Sequence, residues 1–326
     1  MNKPFWRNSG AAALLLLLVG CAAAPRGPET FSFAMIGDLQ YNHFEQTHFP
    51  DMLNAISREP VKFVVHVGDF KAGSNTPCTD ELFAKRREEF NRSRHAFIYT
   101  PGDNEWVDCR RPTNGAMNPL ERLAKLRQVF FSDAWSLGKN PIALFRQSDL
   151  FKDDPILSRY RENAMWIQGG VVFATLNIQG SNDNVGFDAI NDAEQHDRTR
   201  ANIVWLKTAM DRAKGADMVG LAIFLQANPG FEDKPAAVAK SAFVPFLQVF
   251  EQEAALFGKP ILFGHGDSHQ HRVDRPYQSP IDQRPVTNVI RVEGYGTPFL
   301  NWLRITVDPA NRADPFCIES GNFVTQ

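Results

Sequence analysis

Six short apolar runs rich in Val, Ile and Phe punctuate this chain, and five of them end in a polar cluster. "FSFAMI" (31–36) is followed by Gly37, Asp38, Leu39 and Gln40, and "KFVVHV" (62–67) by Gly68 and Asp69. "HAFIY" (95–99) leads into Gly102, Asp103, Asn104 and Glu105. "MVGLAIFL" (218–225) leads into Gln226, Ala227 and Asn228, and "ILFGH" (261–265) into Gly266, Asp267, Ser268 and His269. The sixth run is "VVFATLN" (171–177). Such runs read as buried strands. Each Gly-Asp pair alone is common turn chemistry. Repeated at successive strand ends, the pairs constrain the fold, because the carboxyl ends of strands in an open α/β sheet face one crevice where ligands bind. Residues scattered from Asp38 to His269 then converge. Several buried carboxylates cannot converge without a counter-charge. Divalent cations supply one, and oxygen donors suit hard cations.

Helical periodicity fills gaps between the strands. "PDMLNAIS" places Met52, Leu53 and Ile56 on one face, and "DELFAKRREEFNRSR" offers Leu82, Phe83 and Phe90. "ANIVWLKTAMDRA" carries Ile203, Leu206 and Met210, and in "AKSAFVPFLQVFEQEAALF" Pro245 starts or kinks a helix. This alternation predicts an α/β sandwich. Near the C-terminus, "VTNVIRVEGYG" and "FLNWLRITVDP" are strand-like with no helix between them. Ser132 to Met165 lacks clear periodicity and reads as an insertion of Pro-bounded loops. With 26 Phe and 5 Tyr, the core is expected to be rich in phenylalanine. A net charge of −2 offers no basic footprint for nucleic acid.

The first residues read as a processing signal, with Lys3 and Arg7 ahead of the apolar "AAALLLLLV" (11–19), which is too short to span a bilayer. "LVGC" then resembles a bacterial lipobox. It predicts a signal peptide over 1–20, lipidation of Cys21, and a tether over 21–30 that includes "APRGPET". The domain follows over 31–326. Ala22 after Cys21 points to outer-membrane retention, facing the periplasm, so the membrane is a partner through the anchor. A plain secretory signal is the blander alternative. An oxidising compartment permits disulfides. Cys78 and Cys109 follow two of the strand-end loops and are predicted to pair, leaving Cys317 as a buried thiol.

The order of the strand-end motifs resembles the calcineurin-like metallophosphoesterases, from Phe31 to Arg272. Their signature runs Asp-x-His, Gly-Asp, Gly-Asn-His-Glu or Asp, a lone His after a strand, and Gly-His-x-His. The resemblance implies an α/β fold, a metallophosphoesterase-like β-sandwich flanked by helices. It also implies two divalent metals, about 3.5–4 Å apart, that activate a hydroxide for phosphoester hydrolysis. By position it implies Asp38, Gln40, Asp69, Asp103, Gln226, Asp267 and His269 as metal ligands, with Asp69 bridging and Asn104 in the catalytic position of the leaving-group histidine. An alternative register reads "GHGD" (264–267) as the last motif and makes His265 the ligand.

The departures share a chemical direction, since imidazole nitrogens become oxygens at Gln40, Asp103 in its Asn position excepted, and at Gln226 and Asp267. Such a donor set favours Mn, Mg or Ca over Zn or Fe. Four carboxylates would neutralise two divalent ions and weaken the electrostatic clamp on a phosphate. Asn104 has no titratable proton, and general-acid help is worth about 10²–10⁴-fold. The expectation is therefore a slow or specialised hydrolase acting on a phosphorylated small molecule or an envelope phosphoester. The alternative is a lipid-anchored metal-binding pseudoenzyme or binding protein without hydrolysis. Lys71 is expected to be exposed, with contact to a substrate anion or a carboxylate as the alternative, Glu105 to buttress its loop, Trp106 to pack, and Arg110 and Arg111 to be solvated or to read an anion. His66 is expected in the core, and His271 is a candidate near the substrate. Asp183, Asp188 and Asp192 read as a polar loop.

Overall fold

The computed structural model describes residues 29–231, 241–278, 286–321 and 323. The signal peptide, Cys21 and most of the tether lie outside the described residues. Two mixed sheets stack face to face with helices on both outer sides. The first has the order β12-β11-β1-β2-β3, in which β1 (Phe31–Ile36), β2 (Val61–His66) and β3 (Ala96–Tyr99) run parallel. β11 (Leu303–Val307) and β12 (Phe316–Ser320) complete it antiparallel. The second has the order β4-β5-β6-β7-β8-β10-β9. Its parallel centre is β6 (Val171–Thr175), β7 (Gly220–Phe224), β8 (Ile261–His265) and β10 (Val289–Glu293). β4 (Phe145–Arg146), β5 (Ala164–Gln168) and β9 (Arg272–Asp274) lie at its margins.

All six apolar runs form strands because they are buried on both faces, as parallel strands between layers must be. Between the sheets, Phe33 stacks on Phe63 with centroids 5.0 Å apart, and Phe173 meets both rings edge-on. Trp166, Phe224 and Leu303 close the same cluster.

Helices cover the outer faces. α1 (His43–Arg58) begins seven residues before the periodic stretch that starts at Pro50, because the side chain of Asn42 accepts from Glu45 N and caps an earlier turn. α2 (Asp80–Asn91) is capped by Thr79 and buries Phe83 and Phe90. α3 (Pro119–Phe130), which the periodicity did not reveal, packs beside it. α4 (Gln147–Leu150) and α5 (Gly180–Asp183) are single turns, and α6 (Ala189–Ala213) is the longest helix described. In α7 (Val244–Phe257), Pro245 lies in the first turn, where its missing N–H costs nothing.

Three expectations are corrected. The Ser132–Met165 segment is not only loops, since it supplies β4 and α4 and leads into β5. Asp192 lies inside α6 rather than in a loop, while Asp188 is the last loop residue and caps that helix. Cys317 is exposed rather than buried, because β12 is an edge strand that turns Phe316 inward and its neighbour outward. Cys78 and Cys109 are joined, with Cα atoms 5.8 Å apart. The bond spans 31 positions, and closing a loop of that size contributes about 3–4 kcal/mol.

Candidate functional site

Parallel pairing puts the carboxyl ends of β1, β2 and β3 at one edge of the sandwich, beside those of β7 and β8. There the backbone is unusual. Asp38, Gln40, Asp69, Asp267 and His269 are all left-handed, with φ of 54°, 65°, 59°, 80° and 58°. Non-glycine residues in that region cost of order 1 kcal/mol or more and concentrate where function holds them. Glycines permit the close approach. A Cβ on Gly102 would stand 2.0 Å from Asp69 Oδ1.

The carboxylates meet across the two sheets. Asp267 N donates to Asp38 Oδ1 and Oδ2 at 3.1 and 3.2 Å. Asp69 Oδ1 accepts from Asn104 N at 3.1 Å, and its Oδ2 accepts from Tyr41 Oη and Gln226 Nε2 at 2.8 and 3.2 Å. Asp103 Oδ2 accepts from Ser181 Oγ at 2.7 Å, while Asp103 Oδ1 is buried without a partner among the described residues. A Cβ on Gly180 would lie 2.7 Å from Asp267 Oδ1 and 2.9 Å from Asp103 Oδ1, so both oxygens border one small space. His269 Nε2 is 3.7 Å from Asp38 Oδ1, and burial holds its pKa below the ordinary value.

Burial, and then the neighbouring carboxylates, raise the pKa of Asp38, Asp69 and Asp103 well above the usual range. Asp267 is pushed up to about 6, with burial as the largest cause. A carboxyl raised in this way stays protonated in the folded state after the unfolded chain has released its proton. The unfolded state then binds fewer protons, and stability falls as pH rises. Protein treated with a chelator is therefore expected to lose unfolding temperature from about pH 4 to about pH 6 through Asp267. The Asp267→Asn variant should show a shallower fall, and a midpoint that climbs over that window in the parent would contradict the clustering.

The structure gathers Asp38, Asp69, Asp103, Asp267 and His269, and treats the other sequence candidates differently. Gln40 turns its Nε2 to Glu89 at 3.0 Å, and its Oε1, the atom that would ligate, is buried without a partner among the described residues. Gln226 lies in the cluster as a donor, because Gly180 N occupies its Oε1 at 2.6 Å. Asn104 spends both amide protons, on Tyr41 Oη at 2.8 Å and on the Lys71 carbonyl at 3.0 Å. His265 is buried among Phe231 and Phe263, so the Asp267–His269 register is the one that reaches Asp38.

Lys71 is a correction. It is fully buried, its Nζ donates to the Ala72 and Asn104 carbonyls at 2.7 Å, and burial lowers its pKa to about 8. Glu105 buttresses its loop, since Oε1 accepts from Asp69 N, Gly102 N and Tyr99 Oη. Trp106 is packed in the core, and so is His66, whose Nδ1 accepts from Gly68 N. Arg111 pairs with Asp108 at 2.7 Å, and Arg110 lies over the ring of Phe187. His271 stacks on Tyr295 rather than entering the cluster. Asp183 is buried and paired with Arg198 at 2.6 Å, not part of a solvated loop.

Tyr41, Gly180 and Ser181 were missed by sequence reasoning. The only signal for Tyr41 was its place three residues after Asp38; Ser181 had none. A divalent cation can be tested against this donor set. The oxygen-rich chemistry, the unpartnered Asp103 Oδ1, the space beside Gly180 and the mutual elevation of the acids fit a hard cation. As the side chains stand, no three described His, Cys, Asp or Glu groups share one coordination centre.

No family model matches the sequence, and no curated protein matches it. Solved structures are similar in fold. A structure of PhoD is 11% identical, covers 90% of this chain and 69% of that one, and gives a TM-score of 0.56. A dimetal phosphatase from Danio rerio is 11% identical, with 90% and 99% covered and a TM-score of 0.47. A 5′-nucleotidase from Candida albicans is 13% identical, with 90% and 52% covered and a TM-score of 0.43. The chain has the metallophosphoesterase-like fold, two mixed sheets flanked by helices.

Proposed function

We propose that this protein is a divalent-cation-dependent phosphoester hydrolase with an oxygen-rich site. The observation that carries the reading is the meeting of four mutually repelling aspartates, Asp38, Asp69, Asp103 and Asp267, at the strand ends of this fold. Those aspartates and His269 would hold the cation, which supplies Lewis-acid polarisation of a phosphoryl oxygen and an activated hydroxide when bound. Mn, Mg or Ca suits these donors better than Zn or Fe.

The chain's own residues set the rest. Glu105 fixes Gly102 and Asp69 in position. Tyr41 donates to Asp69 and accepts from Asn104; burial and the acids around it raise its pKa well above the ordinary value, so it stays protonated. Asn104 orients Tyr41 and has no proton left for a leaving group. In this reading the N-terminal signal and Cys21 put the activity at the cell envelope.

The test is hydrolysis of a leaving-group series of aryl and alkyl phosphomonoesters and diesters by metal-stripped protein given Mn²⁺, Mg²⁺ or Ca²⁺. Expected are cation-dependent turnover of nitrophenyl esters and a steep fall towards alkyl leaving groups, by about 10²-fold or more, for want of a general acid. Cation binding without turnover of any ester would favour the second reading, a cation-stabilised binding protein. The full commitment of the Asn104 amide and the donor role of Gln226 are the observations that favour it.

A further inference from the structure

The 132–165 segment builds two adjoining cavities that the carboxylate cluster does not use. One, of about 640 Å³, lies between this segment, β5 and α6. Leu144, Phe145, Leu150, Met165 and Ile167 make it chiefly apolar, and Arg212 lines it as well. Phe145 and Leu150 are 63% and 58% exposed, a large apolar surface left open to solvent. The second cavity, of about 330 Å³, shares Arg146 and Asp149 with the first. Its character is opposite. Ser132, Ser148 and Ser158 line it, with Arg146, Lys152 and Arg161 as three cations against the single carboxylate of Asp149.

Asp149 is already spent on Arg146, through contacts of 2.8 and 2.9 Å. Arg161 adds to the field on Asp149 from a greater distance, and neither Lys152 nor Arg161 forms an ion pair within 4.0 Å among the described residues. An apolar slot in the usual size range for ligands, roughly 300–1,000 Å³, thus opens onto two exposed cations that form no close ion pair among the described residues, beside Ser158. That pairing of chemistries matches one class of molecule.

We propose that this segment binds a monomeric single-chain amphiphile with a phosphate-type anionic head. The hydrocarbon fills the apolar cavity, and the head lies against Lys152 and Arg161. The site is independent of the proposed hydrolytic one.

Calorimetric titration of the purified protein with octyl and decyl phosphate, below micelle formation, tests this, beside inorganic phosphate and decyltrimethylammonium. The expected result is affinity that rises by roughly fourfold per methylene at most, with phosphate alone and the cationic amphiphile each at least tenfold weaker than decyl phosphate. Leu150→Asp changes an exposed side chain, and Lys152→Glu with Arg161→Glu changes two more; each variant should fold and weaken decyl phosphate at least tenfold. Equal affinity for both amphiphiles, or unchanged binding in the variants, would overturn the proposal. Sedimentation with vesicles of anionic phospholipid, in the absence of any binding of decyl phosphate, would overturn it in favour of membrane docking.

Discussion

The Asp69→Asn protein is expected to lose the stabilisation that Mn²⁺, Mg²⁺ or Ca²⁺ gives the parent, and with it any phosphoester turnover. Asp69 sits at the centre of the site, where both oxygens face donors from three different strand ends. In the parent, a cation that binds only the folded state adds about 2.7 kcal/mol at one hundred times its dissociation constant. The amide cannot offer a charge to the cation, and one of its two ends must meet either Asn104 N or Gln226 Nε2 with a second donor. Loss of a positioned charge at a reacting centre commonly costs about 10²–10³-fold in rate. Without cation the variant should stay within about 1–3 kcal/mol of the parent, because the loss of one repelling carboxyl offsets the buried donor that the amide leaves unsatisfied. Thermal unfolding across a cation titration reads both effects. A variant that keeps the full cation shift would remove Asp69 from the site.

The second large effect is expected at Arg198→Met, remote in sequence from every motif although its guanidinium lies 5.2 Å from the ring centroid of Trp106. Arg198 is fully buried. Its guanidinium donates to Asp183 Oδ1 at 2.6 Å, to the Asp183 carbonyl at 3.0 Å and to the Asn177 carbonyl at 3.1 Å. Removing one member of a buried ion pair costs about 3–5 kcal/mol, because the other charge stays buried and unmatched. Here the buried orphan would be Asp183, whose pKa burial already raises, and Glu194 would lose its contact with Arg198 Nε at 3.1 Å as well. The same residue ends α5, the turn that brings Gly180 to Gln226 and Ser181 to Asp103. Urea unfolding of Arg198→Met should therefore show a loss of about 3–5 kcal/mol, and cation affinity should fall as well. Adding Asp183→Asn to that variant should restore much of the stability. A cost below about 1 kcal/mol would mean that water, not Arg198, balances Asp183.

Much of the architecture was legible because burial leaves a linear trace. A parallel strand covered on both faces must be apolar throughout, so "KFVVHV" and "ILFGH" announce themselves. Three of the aspartates after such strands, Asp38, Asp69 and Asp267, mark where the backbone turns left-handed. Where local chemistry competed, boundaries moved: Asn42 started α1 early, and the edge position of β12 exposed Cys317. α3 escaped notice although its Asn118 cap and Pro119 were in view.

The sequence by itself determined the buried strands at the centres of both sheets, which of their ends carry acids, and that those acids need something to balance them; the marginal β4, β5 and β12 it did not reveal. Only the tertiary structure decided how each polar side chain spends its hydrogen bonds. Gln40 gave its amide nitrogen to Glu89 and left its oxygen buried without a partner among the described residues; Gln226 became a donor to Asp69; Lys71 went inside to two carbonyls; Tyr41 and Ser181 arrived at the carboxylates unannounced. Burial repeats with the period of a strand or helix and so is written along the chain. A hydrogen bond depends on distance and angle between groups brought together from remote positions, and no period in the sequence records it.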